Sequence, residues 1–198
     1  MNLRIVSLVG ALALSGCSTV KSSRVREDYD AVDRSRVKRL VVVTQPLPEG
    51  KQHVGDLWSL LARRYVNQKR DFLVRTESAL SGEPQDPKFR ALCTEGAEGV
   101  LWLRPDVKQQ GAGVEAGVKA QLLRCSDGEE VWGAEAGSSY DSVDDKFKEL
   151  TTQYTEELGA EVTPYVAPSF QVLKAALDTL PNPVLSEADV DEKIELGE

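Results

Sequence analysis

The chain has 198 residues, 41% of them apolar and 28% charged, enough apolar material for one core-forming domain rather than a disordered chain. Its net charge of −8 argues against nucleic-acid binding, because an acidic domain repels phosphate backbones. One histidine and three cysteines argue against multi-ligand zinc sites and iron–sulfur clusters, and no cofactor is expected.

The chain begins Met1-Asn2-Leu3-Arg4, followed by the run IVSLVGALAL over residues 5–14. As a helix this run spans about 15 Å, half a bilayer core. It is too short to cross a membrane and has the length of a signal-peptide apolar region, with Arg4 as the positive flank. Leu14-Ser15-Gly16-Cys17 follows directly.

This segment resembles the lipobox of bacterial lipoprotein precursors. The resemblance implies that residues 1–16 are removed, that diacylglycerol is attached to the Cys17 sulfur, and that the new amino terminus is acylated. Several acyl chains give stable anchoring, which a single chain does not. Ser18 follows the modified cysteine where an Asp would retain the protein at the inner membrane. The implied place is therefore the outer membrane, facing the periplasm. The mature chain loses Arg4 and no acid, leaving a charge of −9.

Residues 17–37 are polar and mixed in charge without a sustained period, and read as a lipidated cysteine with a flexible tether. Such a coil has an end-to-end distance of about 25 Å, so the domain, residues 38–180, is expected to stand off the membrane. Arg39 to Thr44 is a β-branched run that fits a strand buried on both faces. Val54, Leu57, Trp58, Leu60, Leu61 and Tyr65 recur at helical spacing, with cations toward the helix end. Phe72 to Thr76 reads as a second strand.

Asp86-Pro87 has the chemistry of a helix start, and the helix carries Phe89, Leu92 and Cys93 to about Gly96. Val100 to Leu103 is a third strand, closed by Pro105. Val114, Ala116, Val118, Ala120 and Leu122 alternate in a long strand with one wet face. Ser126-Asp127-Gly128 is a turn, and the return strand points Trp132, Ala134 and Ala136 one way. Phe147, Leu150, Tyr154, Leu158 and Val162 form a helical stripe, which Pro164 and Pro168 end. Phe170, Leu173, Leu177 and Leu180 form a last helix. The tail 181–198 is acidic, with six acids and one lysine in residues 182–198.

The order β-α-β-α-β-β-β-α-α implies an α/β fold: a two- or three-layer sandwich on a mixed sheet of about five strands. The hairpin AQLLRCSDGEEVWGAEA, residues 120–136, resembles a pattern of small envelope lipoproteins, an apolar strand, a turn with Gly, and an apolar strand with Trp. The pattern is similar to the curli-secretion lipoprotein, penicillin-binding-protein activator lipoproteins and the N-terminal domain of the periplasmic Tol-system protein. It implies fold over residues 38–160 and transfers no functional residue. The whole precursor also resembles uncharacterised lipoproteins of large-genome Gram-negative bacteria, for which no activity is implied.

Candidate chemistry is sparse. His53 is the sole histidine, no G-x-S-x-G accompanies it, and a surface position at a helix start suits it better than catalysis. Asp28, Asp30 and Asp33 lack the Gly and final Glu of a calcium loop, and Asp189, Asp191 and Glu192 lack its mid-loop Gly. Asp141, Asp144 and Asp145 suit the start of the long helix. Gly111-Ala112-Gly113 and Gly117 precede an alternating pattern rather than a helix, which excludes a dinucleotide fingerprint. Trp58, Trp102 and Trp132 suit core packing, with Trp132 the one candidate for an interaction surface. Lipid consumes Cys17, which leaves Cys93 and Cys125 as an even pair in an oxidising compartment; a disulfide is expected, with two separately buried thiols as the alternative.

Two functions compete: a non-enzymatic envelope lipoprotein that binds a protein partner, and a periplasmic hydrolase acting on envelope material. The missing His and Ser motifs point to the first.

Overall fold

The computed structural model describes residues 19–47, 51–79, 91–93, 96–141 and 144–197. The strands are β1 (Val20–Val25), β2 (Arg39–Thr44), β3 (Leu73–Ala79), β4 (Gly99–Gln110), β5 (Gly113–Arg124) and β6 (Glu130–Asp141). The helices are α1 (Tyr29–Val32), α2 (Gln52–Lys69), α3 (Lys148–Leu158), α4 (Thr163–Leu177) and α5 (Glu187–Gly197). One six-stranded sheet runs β1-β6-β5-β4-β2-β3. β2 is parallel to β3 and β4, and the β4-β5-β6-β1 part is antiparallel. The α/β class and the mixed sheet agree with the sequence reading.

The β-branched run of β2 faces two ways. Leu40 and Val42 enter the main core, and Thr44 accepts a hydrogen bond from Ser59 of α2 at 2.7 Å. Val43 points to the opposite side with Val100, Trp102 and Leu123. The connection from β2 to β3 moves one strand outward, and the next one returns across β2 to β4. Right-handed crossovers in opposite directions lie on opposite faces of a sheet. Leu92 and Cys93, in the second connection, accordingly pack against Val43 and Trp102, away from α2. Among the described residues the sheet is covered on both faces at β2 and β4, and on one face only, by helices, at β5, β6 and β1. Asp86, Pro87 and Phe89, the expected start of the helix before Cys93, lie outside the described residues.

Three expectations are corrected. The flexible tether of residues 18–37 is part of the fold from Thr19 onward: β1 pairs with β6, and Tyr29, Asp33 and Val37 are buried. The strand is polar because it is held by backbone pairing; Lys21 to Val25 are all exposed, so no hydrophobic period marks it. Second, Pro105 does not close β4, which continues to Gln110. The Leu103 carbonyl accepts from Gln45 N on the β2 side, and Pro105, of the same parity, faces that side just beyond the end of β2. Its missing N–H therefore lacks no partner, as on an edge strand.

Third, Gly159, at φ 103°, separates α3 from α4, and α4 starts at Thr163 with Pro164 in its first turn and runs through Pro168. First-turn amides have no intrahelical partner, so Pro164 costs nothing there. Pro168 costs about 3 kcal/mol. Burial of Val166, Val172, Leu173 and Leu177, each worth ~1.5–3 kcal/mol, outweighs it. The order of the acidic tail, which its composition leaves open, is set by contacts with the rest of the fold. Pro181 O accepts from Tyr29 Oη at 3.0 Å, the Arg34 carbonyl accepts from Val184 N, and α5 packs against α2 and β3.

The alternating pattern of β5 is realised as read: Val114, Ala116, Val118, Ala120 and Leu122 all enter the main core. So do Trp132, Ala134 and Ala136 of β6, across a turn in which Gly128 takes φ 80°. Cys93 and Cys125 are joined, their Cα atoms 5.4 Å apart, inside the range a disulfide tolerates. The bond ties the β3–β4 connection to the β5–β6 turn over 32 residues. Replacing both cysteines by serine is expected to lower unfolding free energy by about 3–4 kcal/mol, read from urea midpoints under non-reducing conditions. An unchanged midpoint would mean that the thiols are free in solution.

Candidate functional site

The side of the sheet on which no described helix packs is polar over β5, β6 and β1. Gly117, Gly133 and Gly137 leave it low, and Lys119, Gln121 and Glu135 rise from it. A connected row of side chains crosses four strands. The Arg104 guanidinium stacks on Trp102, 4.4 Å from the ring centre, and donates to Gln121 Oε1 at 2.6 Å. Gln121 donates in turn to Glu130, and Arg24 of β1 donates to Glu130 at 2.8 Å. The Glu130 carboxylate lies across Gly133, where a Cβ would come within 2.5 Å of it. This depression has a volume of 330 Å³ and is lined by Ser22, Arg24, Lys119, Gln121, Glu130 and Glu135. It presents alternating charges on a rigid sheet, a surface suited to polar contacts and holding no nucleophile–base pair.

A second charged group clamps the C-terminal helix. Ser186-Glu187-Ala188-Asp189 forms a capping box: Ser186 N donates to Asp189 Oδ2 at 2.8 Å, and Asp189 N donates to Ser186 Oγ at 3.3 Å. Asp189 also accepts from Lys38 Nζ and from Arg39, both at 2.6 Å, and Glu192 accepts from Arg39 and Arg75. Lys193 Nζ donates to the carbonyls of Asn67, Arg70 and Phe72, satisfying the C-terminal end of α2. The Lys38 hydrogen bond, with those of Ser186 and Arg39, holds the Asp189 carboxyl far below the usual carboxylate range.

A carboxylate with a depressed folded pKa stabilises above its unfolded value, about 3.9, and loses that contribution as pH falls toward the folded value. The clamp is therefore expected to be complete at neutral pH and to weaken as pH drops below about 4. Asp189→Asn should cost about 1.5–3 kcal/mol at pH 7, the worth of hydrogen bonds to a charged group, and much less in acid. Amide exchange along α5, followed against pH, measures both effects.

The candidate residues read from the sequence are dispersed across the fold. Leu14, Ser15, Gly16 and Cys17 lie outside the described residues. Trp132 is not a surface residue: it is fully buried, and its Nε1 donates to Thr179 Oγ1 at 3.2 Å. The strand alternation sets it with Ala134 and Ala136 in the main core, on the face of β6 against which α4 packs. His53 lies in the first turn of α2, more than half exposed, with Glu161 at 3.4 Å and Asp56 at 3.8 Å. Both of these neighbours are carboxylates. Asp144 accepts from Lys146 N and caps the turn leading into α3. Gly111 takes φ 59° in the β4–β5 turn. Asp33 is buried against Arg124 at 2.7 Å, far from Asp28 and Asp30 in role.

No protein-family model and no curated protein matches the chain. Solved structures of similar fold include the hypothetical protein CT253 from Chlamydia trachomatis, with 11% identity and a TM-score of 0.44 over 69% of this chain and 91% of that one. The PelC dodecamer from Paraburkholderia phytofirmans shares 16% identity, with a TM-score of 0.38 over 67% of this chain and 90% of that one. Lipoprotein GNA1162 from Neisseria meningitidis shares 14%, with a TM-score of 0.37 over 61% and 96%.

Proposed function

We propose that the chain is a non-enzymatic lipoprotein of the cell envelope, held in the outer membrane by lipid on Cys17 and facing the periplasm, where its domain binds a protein partner. The observation that carries the anchor is LSGC directly after a ten-residue apolar run. The partner role draws on the open polar sheet face with its row of Arg104, Gln121 and Glu130. The exposed His53 among carboxylates argues against a histidine-dependent hydrolase.

Cys17→Ala is expected to move the protein from the membrane fraction to the soluble fraction and to abolish labelling by radioactive palmitate. A variant that stays membrane-bound, cleaved and labelled refutes the anchor. For the partner, a photo-crosslinking residue at Gln121, in intact envelopes, should give one discrete adduct. The same residue at exposed Glu187 serves as control, and identical patterns from both sites would refute the open face as the binding surface.

A further inference from the structure

We propose that the β1 edge of the sheet lies against the bilayer that carries the lipid anchor, with Lys21 and Arg24 turned to lipid phosphates. The inference rests on lipidation at Cys17 and adds to it an orientation. The Thr19 carbonyl accepts from Gly137 N at 2.8 Å, so the fold is fixed from Thr19 onward. Only Ser18 separates it from Cys17. Two backbone steps reach at most about 7 Å. A domain so tethered has no stand-off.

Strand direction then limits how the domain sits. β1 runs antiparallel to β6, and β6 continues past Thr19 from Gly137 to Asp141, roughly 14 Å. The β4–β5 turn at Gly111 extends the same end. Strands standing upright on the membrane would drive this tip, with Lys108, Glu115 and Asp141, into the acyl region, where unpaired charges are costly. The strands must therefore lie along the surface. One sheet face is covered by α2 and α4, and the other carries Leu92 and Cys93 over Trp102. Among the described residues no helix and no strand packs against the outer side of the β1 edge.

Charge agrees with this placement. Residues 20–25, the strand itself, contain two cations and no acid, and Arg26 beyond it is paired with Asp28 at 2.6 Å. The Lys21 and Arg24 side chains are 60% and 75% exposed, and their partners Glu135 and Glu130 sit one strand inward. Exposed ion pairs are worth only about 0–1 kcal/mol, so phosphate competes readily for these cations. The opposite edge, β3, is packed by acidic α5, five strand spacings or about 24 Å away. An anionic bilayer attracts one edge and repels the other. A second copy is the poorer occupant: antiparallel pairing of β1 with itself over all six residues sets Lys21 opposite Arg24, and like charges facing across strands are destabilising.

The test uses the mature lipidated chain in phosphatidylethanolamine–phosphatidylglycerol vesicles containing headgroup-nitroxide lipid. A fluorophore is placed at Ser23→Cys or, separately, at Glu187→Cys. Quenching at residue 23 is expected to exceed that at 187 severalfold. It should fall to the level of 187 when a Gly-Ser spacer of about twenty residues, about 25 Å end to end, is inserted after Ser18. It should also fall when Lys21→Gln and Arg24→Gln are combined. Equal quenching at both sites on vesicle-bound protein overturns the orientation and leaves the anchor intact. Protein that fails to float with vesicles, or a Cys17→Ala variant that still floats, overturns the anchor reading and the orientation with it.

Discussion

Arg124→Ala is expected to cost about 3–5 kcal/mol of unfolding free energy, the effect of removing one partner from a buried ion pair. Asp33 is fully buried, and its Oδ1 meets Arg124 Nη1 at 2.7 Å. Its Oδ2 has no hydrogen-bond partner among the described residues, so Arg124 is the chief compensation for that charge. The same guanidinium donates through Nε and Nη2 to Asp127, which shapes the β5–β6 turn next to the Cys125 disulfide. Truncation at Ala therefore strands a buried carboxylate and loosens the hairpin together. Arg124→Lys should fall between, because an ammonium keeps the charge but not the fork that serves two carboxylates at once. Combining Arg124→Met with Asp33→Leu should recover much of the loss, since a buried pair replaced by apolar groups is often near neutral. Urea unfolding of the four proteins tests this. If Arg124→Ala shifts the midpoint by less than the equivalent of 1 kcal/mol, Asp33 is not held as described.

That pair explains part of what sequence reading missed. Asp33 and Arg124 are 91 positions apart, and the polar stretch around Asp33 has no period that would lead to Arg124. Where burial follows a regular period, the reading transferred. The α2 stripe buries Val54, Leu57, Trp58, Leu61 and Tyr65, and β5 alternates as expected. Where elements are held by backbone pairing or by charge, it did not. β1 has exposed side chains and exists because β6 offers it a ladder. The C-terminal helix did carry a readable signal, since Ser186-x-x-Asp189 is a capping-box pattern. The composition of the tail masked it, because the acids that look solvated are the ones that Lys38, Arg39 and Arg75 bind. Pro105 misled for a related reason: a proline ends a strand only where a neighbour needs its amide, and β2 has stopped by then. The resemblance of Leu14 to Cys17 to a lipobox can be read without any knowledge of packing, because it concerns a linear segment, and the anchor proposed from it is tested by Cys17→Ala.

Removing residues 19–37 from the mature domain is expected to abolish cooperative folding, although this stretch reads as a dispensable tether. The loss has three parts. Tyr29 and Val37, 3% and 1% exposed, leave the main core, each worth roughly 1.5–3 kcal/mol of apolar burial. Their departure also uncovers the neighbours of Val37: a Cβ built on Gly99 would meet Val37 at 2.8 Å, Leu40 at 3.0 Å and Leu122 at 3.2 Å, which shows how closely this corner is filled. Arg124 loses Asp33, and the tail loses the Tyr29 hydroxyl on Pro181 and the Arg34 carbonyl on Val184. Finally β6 becomes a twelve-residue edge strand without its partner. The sum exceeds about 5 kcal/mol, which is most or all of the 5–15 kcal/mol typical of a domain. The shortened chain, residues 38–198, should show weak near-ultraviolet dichroism, no sharp thermal transition and a tendency to associate through β6. The parallel variant Tyr29→Ala, expected to cost about 3–5 kcal/mol as a large-to-small core change, separates loss of core from loss of the strand. A fragment 38–198 that melts cooperatively near the full-length midpoint would return this segment to the role of a tether and remove the basis for a domain fixed close to its anchor.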